Sequence, residues 1–438
     1  MNQSRAASVA AALAVTAGLV ACSTGTDGRS PGGPTTGDSD GDISTVSFVL
    51  FGDPAETAGY ETLAQQFEAA NDDVDVQLAP VASQADLAAT LTTSFAGGSP
   101  PDVFLINYRG YGQFAQQGVL APVAVLLADS DVIAEDEFAE TALDAFRFDG
   151  SELTCLPQNV SSLAVYYNVD LFESAGVALP ADGWTWADFL LAARRLTGDG
   201  RYGLGTDANT IRLAPFVWSA GGELVDDEVT PTTFTLDTPE ARRGVDFFLD
   251  LQTVHGVVPP EAEEQARESE ARFLDGDLGM FLNSRRVVPT LRTIEGFAWD
   301  VAPMPVGPAG ESVSILHGDA YCMSATSEVQ DATWRFIEYA NSAEGQTVLA
   351  ESGRTVPSRT DVAGSEAFLR PDVPPASAQV FLDSLPTLRA VPHTATWPRV
   401  ESAADELIEA MFYGRIEREE GLAQLADVTG PLFGAAAL

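Results

Sequence analysis

Asp102-Val103-Phe104-Leu105-Ile106 is the stretch whose reading decides the fold; it follows Ser99-Pro100-Pro101 and leads into Asn107-Tyr108-Arg109-Gly110. Four consecutive apolar residues without alternation describe a strand buried on both faces, as found where helices cover both sides of a sheet. The upstream sequence supplies such helices. Thr45 to Leu50 alternates, with Val46, Phe48 and Leu50 on one face, and reads as a strand broken at Gly52-Asp53-Pro54. Tyr60, Leu63, Ala64 and Phe67 then fall at i, i+3, i+4 and i+7, one stripe of a helix. Val74 to Leu78 alternates as a second strand, and Leu87, Ala88, Leu91 and Phe95 form a second helical stripe that stops at Gly97-Gly98.

The order β-α-β-α-β predicts an α/β fold with a mostly parallel sheet flanked by helices. In such sheets ligands bind outside the carboxyl ends of the strands. Two loops become candidates on that ground, Phe51-Gly52-Asp53-Pro54 and Asn107-Tyr108-Arg109-Gly110. Further on, Ser162 to Tyr167 and Leu278 to Leu282 read as strands. Thr185 with Asp188 caps a helix from Trp186 to Leu196, and Pro239 to Thr253 is a further helix. Val313 to Met323 reads as one strand, followed by helices at Gln330 to Asn341 and Glu344 to Ser352 and a helical remainder with Pro-rich breaks.

The first forty residues have a different character. Arg5, an apolar run from Ala6 to Val20 and the small-residue site Leu19-Val20-Ala21-Cys22 make a secretory signal over residues 1–21. The run is too short to span a bilayer comfortably. Leu19-Val20-Ala21-Cys22 resembles the lipobox of bacterial lipoproteins, which implies a diacylglycerol on Cys22 and cleavage before it. Ser23 to Asp42 is Ser, Thr, Gly, Pro and Asp with almost nothing apolar, so residues 22–43 read as a lipidated Cys and a flexible tether.

The roughly 395 residues that remain are two or three domains' worth. The 438-residue chain has 64 acidic residues against 23 basic ones, every one of them Arg, for a net charge of −41. Nucleic acid and anionic lipid are poor partners for such a surface. The three His stand far apart with no metal spacing, Asp275-Gly276-Asp277 matches only part of a calcium loop, and no Gly-x-Ser-x-Gly occurs. No metal, cofactor or catalytic residue is implied.

A set of short stretches, in order, resembles the extracellular solute-binding proteins (family 1) of ABC-type sugar importers. They are Tyr60-Glu61-Thr62-Leu63-Ala64-Gln65-Gln66-Phe67, Pro101-Asp102-Val103-Phe104, Leu156-Pro157, and Val165-Tyr166-Tyr167-Asn168-Val169-Asp170-Leu171-Phe172. Gly183-Trp184-Thr185-Trp186, Trp218 before Gly221-Gly222, Gly279-Met280-Phe281 and Arg354-Thr355-Val356-Pro357 follow. The resemblance implies a two-lobe periplasmic-binding-protein-like fold (type II) with the ligand clamped in a cleft between lobes joined by hinge crossings. The crossings fall near Leu153 to Pro157, Leu316 to Cys322 and Gly353 to Pro357. Lobe one is then 44–154 plus 317–353, and lobe two 157–315 plus 357–438. The implied protein is a monomeric receptor on the outer face of the cytoplasmic membrane, held there by its lipid anchor only. It delivers a carbohydrate to permease subunits.

Sugar sites combine aromatic faces with charged or amide side chains that exchange hydrogen bonds with hydroxyls. Trp218 with Gly221, and Trp397 in Thr396-Trp397-Pro398, are the stacking candidates; Trp186, Trp299 and Trp334 read as core. Strand ends supply Asp53, Asn107, Tyr108, Arg109, Asn283 and Arg285, and the implied crossings supply Gln158, Asn159, His317, Asp319 and Arg354. So many arginines are unusual for a neutral sugar, which leaves an acidic sugar or a phosphorylated polyol open as ligand. An extracellular lipoprotein glycoside hydrolase is the competing class, and with 64 acidic residues counting does not exclude its pair of carboxylates. The resemblance also sets Cys155 and Cys322 on neighbouring crossings, where a disulfide and two buried free thiols are both open.

Overall fold

The computed structural model describes residues 43–148 and 152–434; Cys22 and the tether lie outside them. The apolar run forms the strand Val103–Asn107, every residue of which is buried. It is the middle of five strands, in the order Val74–Val81, Ser44–Phe51, Val103–Asn107, Asp319–Met323, Cys155–Pro157. The first three are parallel, linked by the helices Pro54–Ala70 and Gln84–Ala96; the last two are antiparallel additions. On one face of Ser44–Phe51, Phe48 packs against Tyr60, Tyr321 and Phe336. Ser47, on the other, donates its N–H (2.9 Å) and Oγ–H (2.6 Å) to the Asp102 carboxylate, which fixes where the middle strand begins.

A second sheet orders Leu388–Arg389, Ser314–His317, Ser161–Asn168, Leu278–Ser284 and Tyr202–Gly205, with Trp299–Ala302 also paired to Ser161–Asn168. All eight residues of Ser161–Asn168 are buried, as expected of a strand packed on both faces. The architecture is thus α/β, two lobes each built on one open sheet.

The strand expected from Val313 to Met323 is two strands in different sheets, Ser314–His317 and Asp319–Met323, separated by Gly318. A second difference lies at the first crossing: Cys155–Pro157 pairs with Asp319–Met323 inside the first sheet, so the chain changes sheets at 158–160 rather than at Leu153 to Pro157. The passages lie side by side. Gln158 and Asn159 donate their N–H groups to the Asp319 carbonyl (2.8 and 3.3 Å), and Val160 N–H donates to the Val356 carbonyl (3.1 Å). Cys155 and Cys322 face each other across the antiparallel pair, 4.5 Å apart at Cα, and form a disulfide.

Asn107-Tyr108-Arg109-Gly110, expected as a loop, opens a helix instead. Asn107 caps Tyr108–Gln116 by accepting the Arg109 N–H on Oδ1 (3.2 Å), a role for which Asn is among the best residues. Gly112 in that helix is packed so closely that a Cβ would overlap the His393 carbonyl. Among the described residues no helix is long and apolar enough to cross a membrane.

Candidate functional site

The ends of several strands and the passages at 158–160 and 353–357 enclose a cavity of about 340 Å³. Phe51 and Asn107 stand at the carboxyl ends of their strands in the first sheet, Asn283, Ser284 and His317 at those of the second. The helix Tyr108–Gln116 contributes Arg109, and the passages contribute Asn159, Arg354 and Thr355. From the second sheet's side come Ser161, Arg212 of the helix Thr210–Ser219, and Arg286. Ser83 and Gln84 close the remaining wall.

Asp319 is the one carboxylate among the described lining residues. Its Oδ1 accepts from Asn107 Nδ2 (3.1 Å) and its Oδ2 from Asn159 Nδ2 (3.0 Å). One carboxylate thereby orients two amides toward the cavity. Asn107 Oδ1 is occupied in turn by the Arg109 N–H and Nε–H, both at 3.2 Å. Arg354 is buried; its Nη1 donates to Tyr60 Oη (3.1 Å) and its Nη2 to the Phe51 carbonyl (3.2 Å).

The charges in this wall act on one another. Burial pulls Arg109 down, but its ion pair with Glu401 outweighs that and holds it above its ordinary value. Arg212 lies below its ordinary value because burial outweighs Asp207, and Arg286 and Arg109 push the same way. Burial, with Arg109, Arg212 and Arg286 nearby, holds His317 well below the usual imidazole range, so the ring is neutral.

Of the residues expected at the site, Asn107, Arg109, Asn159, Asn283, His317, Asp319 and Arg354 are brought together here. The others are elsewhere, each for a packing reason. Trp218 is 5% exposed, with the Arg389 guanidinium 5.0 Å from its ring centroid, so a ring expected to stack on sugar is covered from within. Gly221, at φ 84°, turns the chain after that helix and donates its N–H to the Trp218 carbonyl. Trp397 is fully buried beside Phe234 and Phe433. Arg285 is clamped between Phe368 and Phe381 at 4.3 and 5.1 Å, and its neighbour Arg286 lines the cavity instead.

Tyr108 points into the core and accepts the Val391 N–H on its hydroxyl. Gln158 is fully buried behind the wall, accepting from Tyr60 Oη and Asn159 Nδ2. Asp53 is exposed outside the cavity, and its carbonyl accepts from Thr57. Sequence reasoning missed Arg212, although its signal was present: a lone charge in the apolar run Thr210-Ile211-Arg212-Leu213-Ala214-Pro215-Phe216.

An acidic cavity of about 740 Å³ adjoins the first, sharing Gln84 and Arg109 with it and lined by Asp207, Glu264, Glu401, Asp405, Glu406 and Glu409. Burial and the nearby Glu401 raise the Asp405 carboxyl to about 6, even though Thr210 donates to it. A carboxyl raised on folding contributes stability that is whole below its unfolded value near 3.8 and is lost as pH rises through about 6. The stability of Asp405→Asn relative to wild type should therefore rise by about 2–3 kcal/mol between pH 3.5 and pH 7. Urea titrations of both proteins at the two pH values check this, and an unchanged difference refutes it.

Residues 52–347 match the family of bacterial extracellular solute-binding proteins. The mannitol-binding protein of Pseudomonas aeruginosa is 26% identical, over 83% of this chain and 87% of its own length. Among solved structures, an ABC substrate-binding protein from Listeria monocytogenes in complex with cycloalternan superposes with a TM-score of 0.82 at 22% identity, covering 90% of this chain and all of that one. The GacH receptor of Streptomyces glaucescens, solved unliganded and with acarbose, superposes with a TM-score of 0.78 at 25% identity over 89% of this chain and 98% of its own.

Proposed function

The chain belongs to the bacterial extracellular solute-binding protein family, and from that premise we propose that it captures a small carbohydrate in the cavity between its two sheets. It then hands the ligand to the membrane subunits of an ATP-driven importer. It works as a monomer on the outer face of the cytoplasmic membrane, anchored through a lipid on Cys22 and spaced from the bilayer by the tether. The carrying observation is that one cavity of about 340 Å³ draws polar side chains from both sheets and from the passages at 158–160 and 353–357. That size suits a small ligand, and convergent amide, hydroxyl and guanidinium groups are what a polyhydroxylated one requires. Relatives that bind mannitol, cycloalternan and acarbose support the same ligand class. This cavity itself lacks the pair of carboxylates that glycoside hydrolysis uses, since Asp319 is the one carboxylate among its described lining residues and both its oxygens accept from amides.

With their boundaries moved to the observed changes of sheet, the lobes are 44–157 plus 319–353 and 161–317 plus 357–438, and they move about the passages at 158–160, 318 and 353–357. Contacts from both sides exist together only when the cleft is closed, so ligand selects the closed form. A thermal-shift screen over neutral and acidic sugars, polyols and their phosphates tests capture directly. A true ligand at a hundred times its Kd stabilises by about 2.7 kcal/mol. Solution scattering with that ligand at saturation should give a smaller radius of gyration than without it. An unchanged radius at saturation means a rigid receptor and overturns the hinge.

A further inference from the structure

The charge of the cavity is opposite to that of the protein. The net charge is −41 and only 23 residues are basic, yet Arg109, Arg212, Arg286 and Arg354 line this single cavity against the one carboxylate of Asp319. From outside the lining, Glu401 pairs with Arg109 and Asp207 with Arg212, while the Asp319 oxygens accept from Asn107 and Asn159.

Arg212 is the most telling of the four. It is 5% exposed. Its Nη2 is spent on Asp207 at 3.0 Å and Asn283 Oδ1 at 3.2 Å, while Nε and Nη1 have no hydrogen-bond partner. His317 Nε2, in the same wall, is also buried and without a partner. Buried donors in native proteins are nearly always satisfied, so the two unpartnered Arg212 nitrogens in the wall of one cavity point to an absent acceptor. Nε–H and Nη1–H lie on different edges of the guanidinium, so each offers a single charge-assisted hydrogen bond to one oxygen of a carboxylate or phosphate. Arg109 and Arg286 both repel the Arg212 guanidinium and disfavour protonation of His317, and an anion among them offsets that positive potential.

We propose that the ligand carries one anionic group, a carboxylate or a phosphate, that accepts an unused N–H of Arg212 beside His317 and Arg286. Its hydroxylated remainder extends toward Asn107, Asn159 and Gln84. The proposal rests on reading this cavity as the solute site. It specifies a single anionic group because Gln84 and Arg109 open onto the acidic neighbouring cavity, where a second one would meet Glu401, Asp405 and Glu406.

Inorganic phosphate probes the subsite without knowledge of the remainder. Calorimetric titration at low ionic strength should give saturable binding that weakens tenfold or more in Arg212→Met and in Arg286→Met. Arg267→Met, which removes a surface arginine paired with Asp275 and Asp277, should bind as the wild type does. The exposed Arg286 keeps the test open if the buried variant does not fold. Absence of saturable binding, or equal binding in a folded Arg212→Met or Arg286→Met protein, overturns the proposal.

Glycerol 3-phosphate, glucuronate and mannitol then separate the sources. Tighter binding of the phosphate ester assigns phosphate, and tighter binding of glucuronate assigns carboxylate. Mannitol binding at least as tightly as both overturns the anion but leaves solute capture standing. Phosphate binding that depends on Arg212, with no response to any carbohydrate or polyol in the screen, upholds the subsite and sinks the carbohydrate reading instead.

Discussion

Trp397→Ala should lower the unfolding free energy by about 3–5 kcal/mol, the usual cost of emptying a buried indole site, while ligand affinity stays within about threefold of wild type, or ~0.7 kcal/mol. The ring has no solvent exposure and sits 6.0 and 6.4 Å, centroid to centroid, from Phe234 and Phe433. It joins the start of the helix Trp397–Phe412 to the aromatic ring of Phe433 at the end of Arg418–Phe433. Its loss opens a void that three rigid neighbouring elements cannot fill by rotamer changes alone. A stacking residue behaves in the opposite way, with an open face and an affinity that collapses on truncation. Urea midpoints at constant slope, measured beside calorimetric affinity, separate the two. A large affinity loss with unaltered stability would put Trp397 back at the ligand.

The same contrast marks what the sequence makes legible. Periodicity locates Ser44–Phe51, Val74–Val81 and Val103–Asn107 and the helices between them because one-sided burial leaves an alternation or a stripe in the chain. The break at Gly318 is not legible in that way. The residues on either side are apolar enough to continue one strand, and nothing local records that Ser314–His317 and Asp319–Met323 join different sheets. At the site, the strand-end rule finds Asn107, Arg109 and Asn283, since topology alone carries a strand's end to the cleft. Asn159, His317, Asp319 and Arg354 come from the resemblance.

What fails is the direction of individual side chains. Arg285 and Arg286 are chemically identical neighbours, and only the packed structure sends the first between Phe368 and Phe381 and the second to the cavity. Trp218 looks ligand-facing beside its glycines, but the Arg389 guanidinium that lies over it comes from a distant segment. Among the described lining residues there is no tryptophan and Phe51 is the one Phe, Tyr or Trp, so the proposed recognition rests on hydrogen bonds and charge.

Opening the bridge between Cys155 and Cys322 should cost a comparable amount of stability and again spare the ligand. The two residues are separated by 167 positions, and cross-linking so long a loop restricts the unfolded chain by about 5 kcal/mol on the entropy model, with native bridges delivering roughly 2–5 kcal/mol in practice. The enclosed segment holds five of the six strands of the second sheet, from Ser161–Asn168 to Ser314–His317. The bridge thus fastens the departure and return of that lobe at one place. Both cysteines belong to the first sheet, in paired strands on the same side of the passages. A crosslink within one body does not resist rotation of the other about it. The double variant Cys155→Ala/Cys322→Ala should therefore melt at markedly lower urea, yet bind with wild-type affinity and contract to the same radius on saturation. Thiol titration of the denatured, unreduced wild-type protein secures the premise, because two reactive thiols there would mean no bridge. If the bridge is present and the double variant loses affinity or no longer contracts, the disulfide is part of the closing mechanism, and the hinge cannot lie wholly at 158–160, 318 and 353–357.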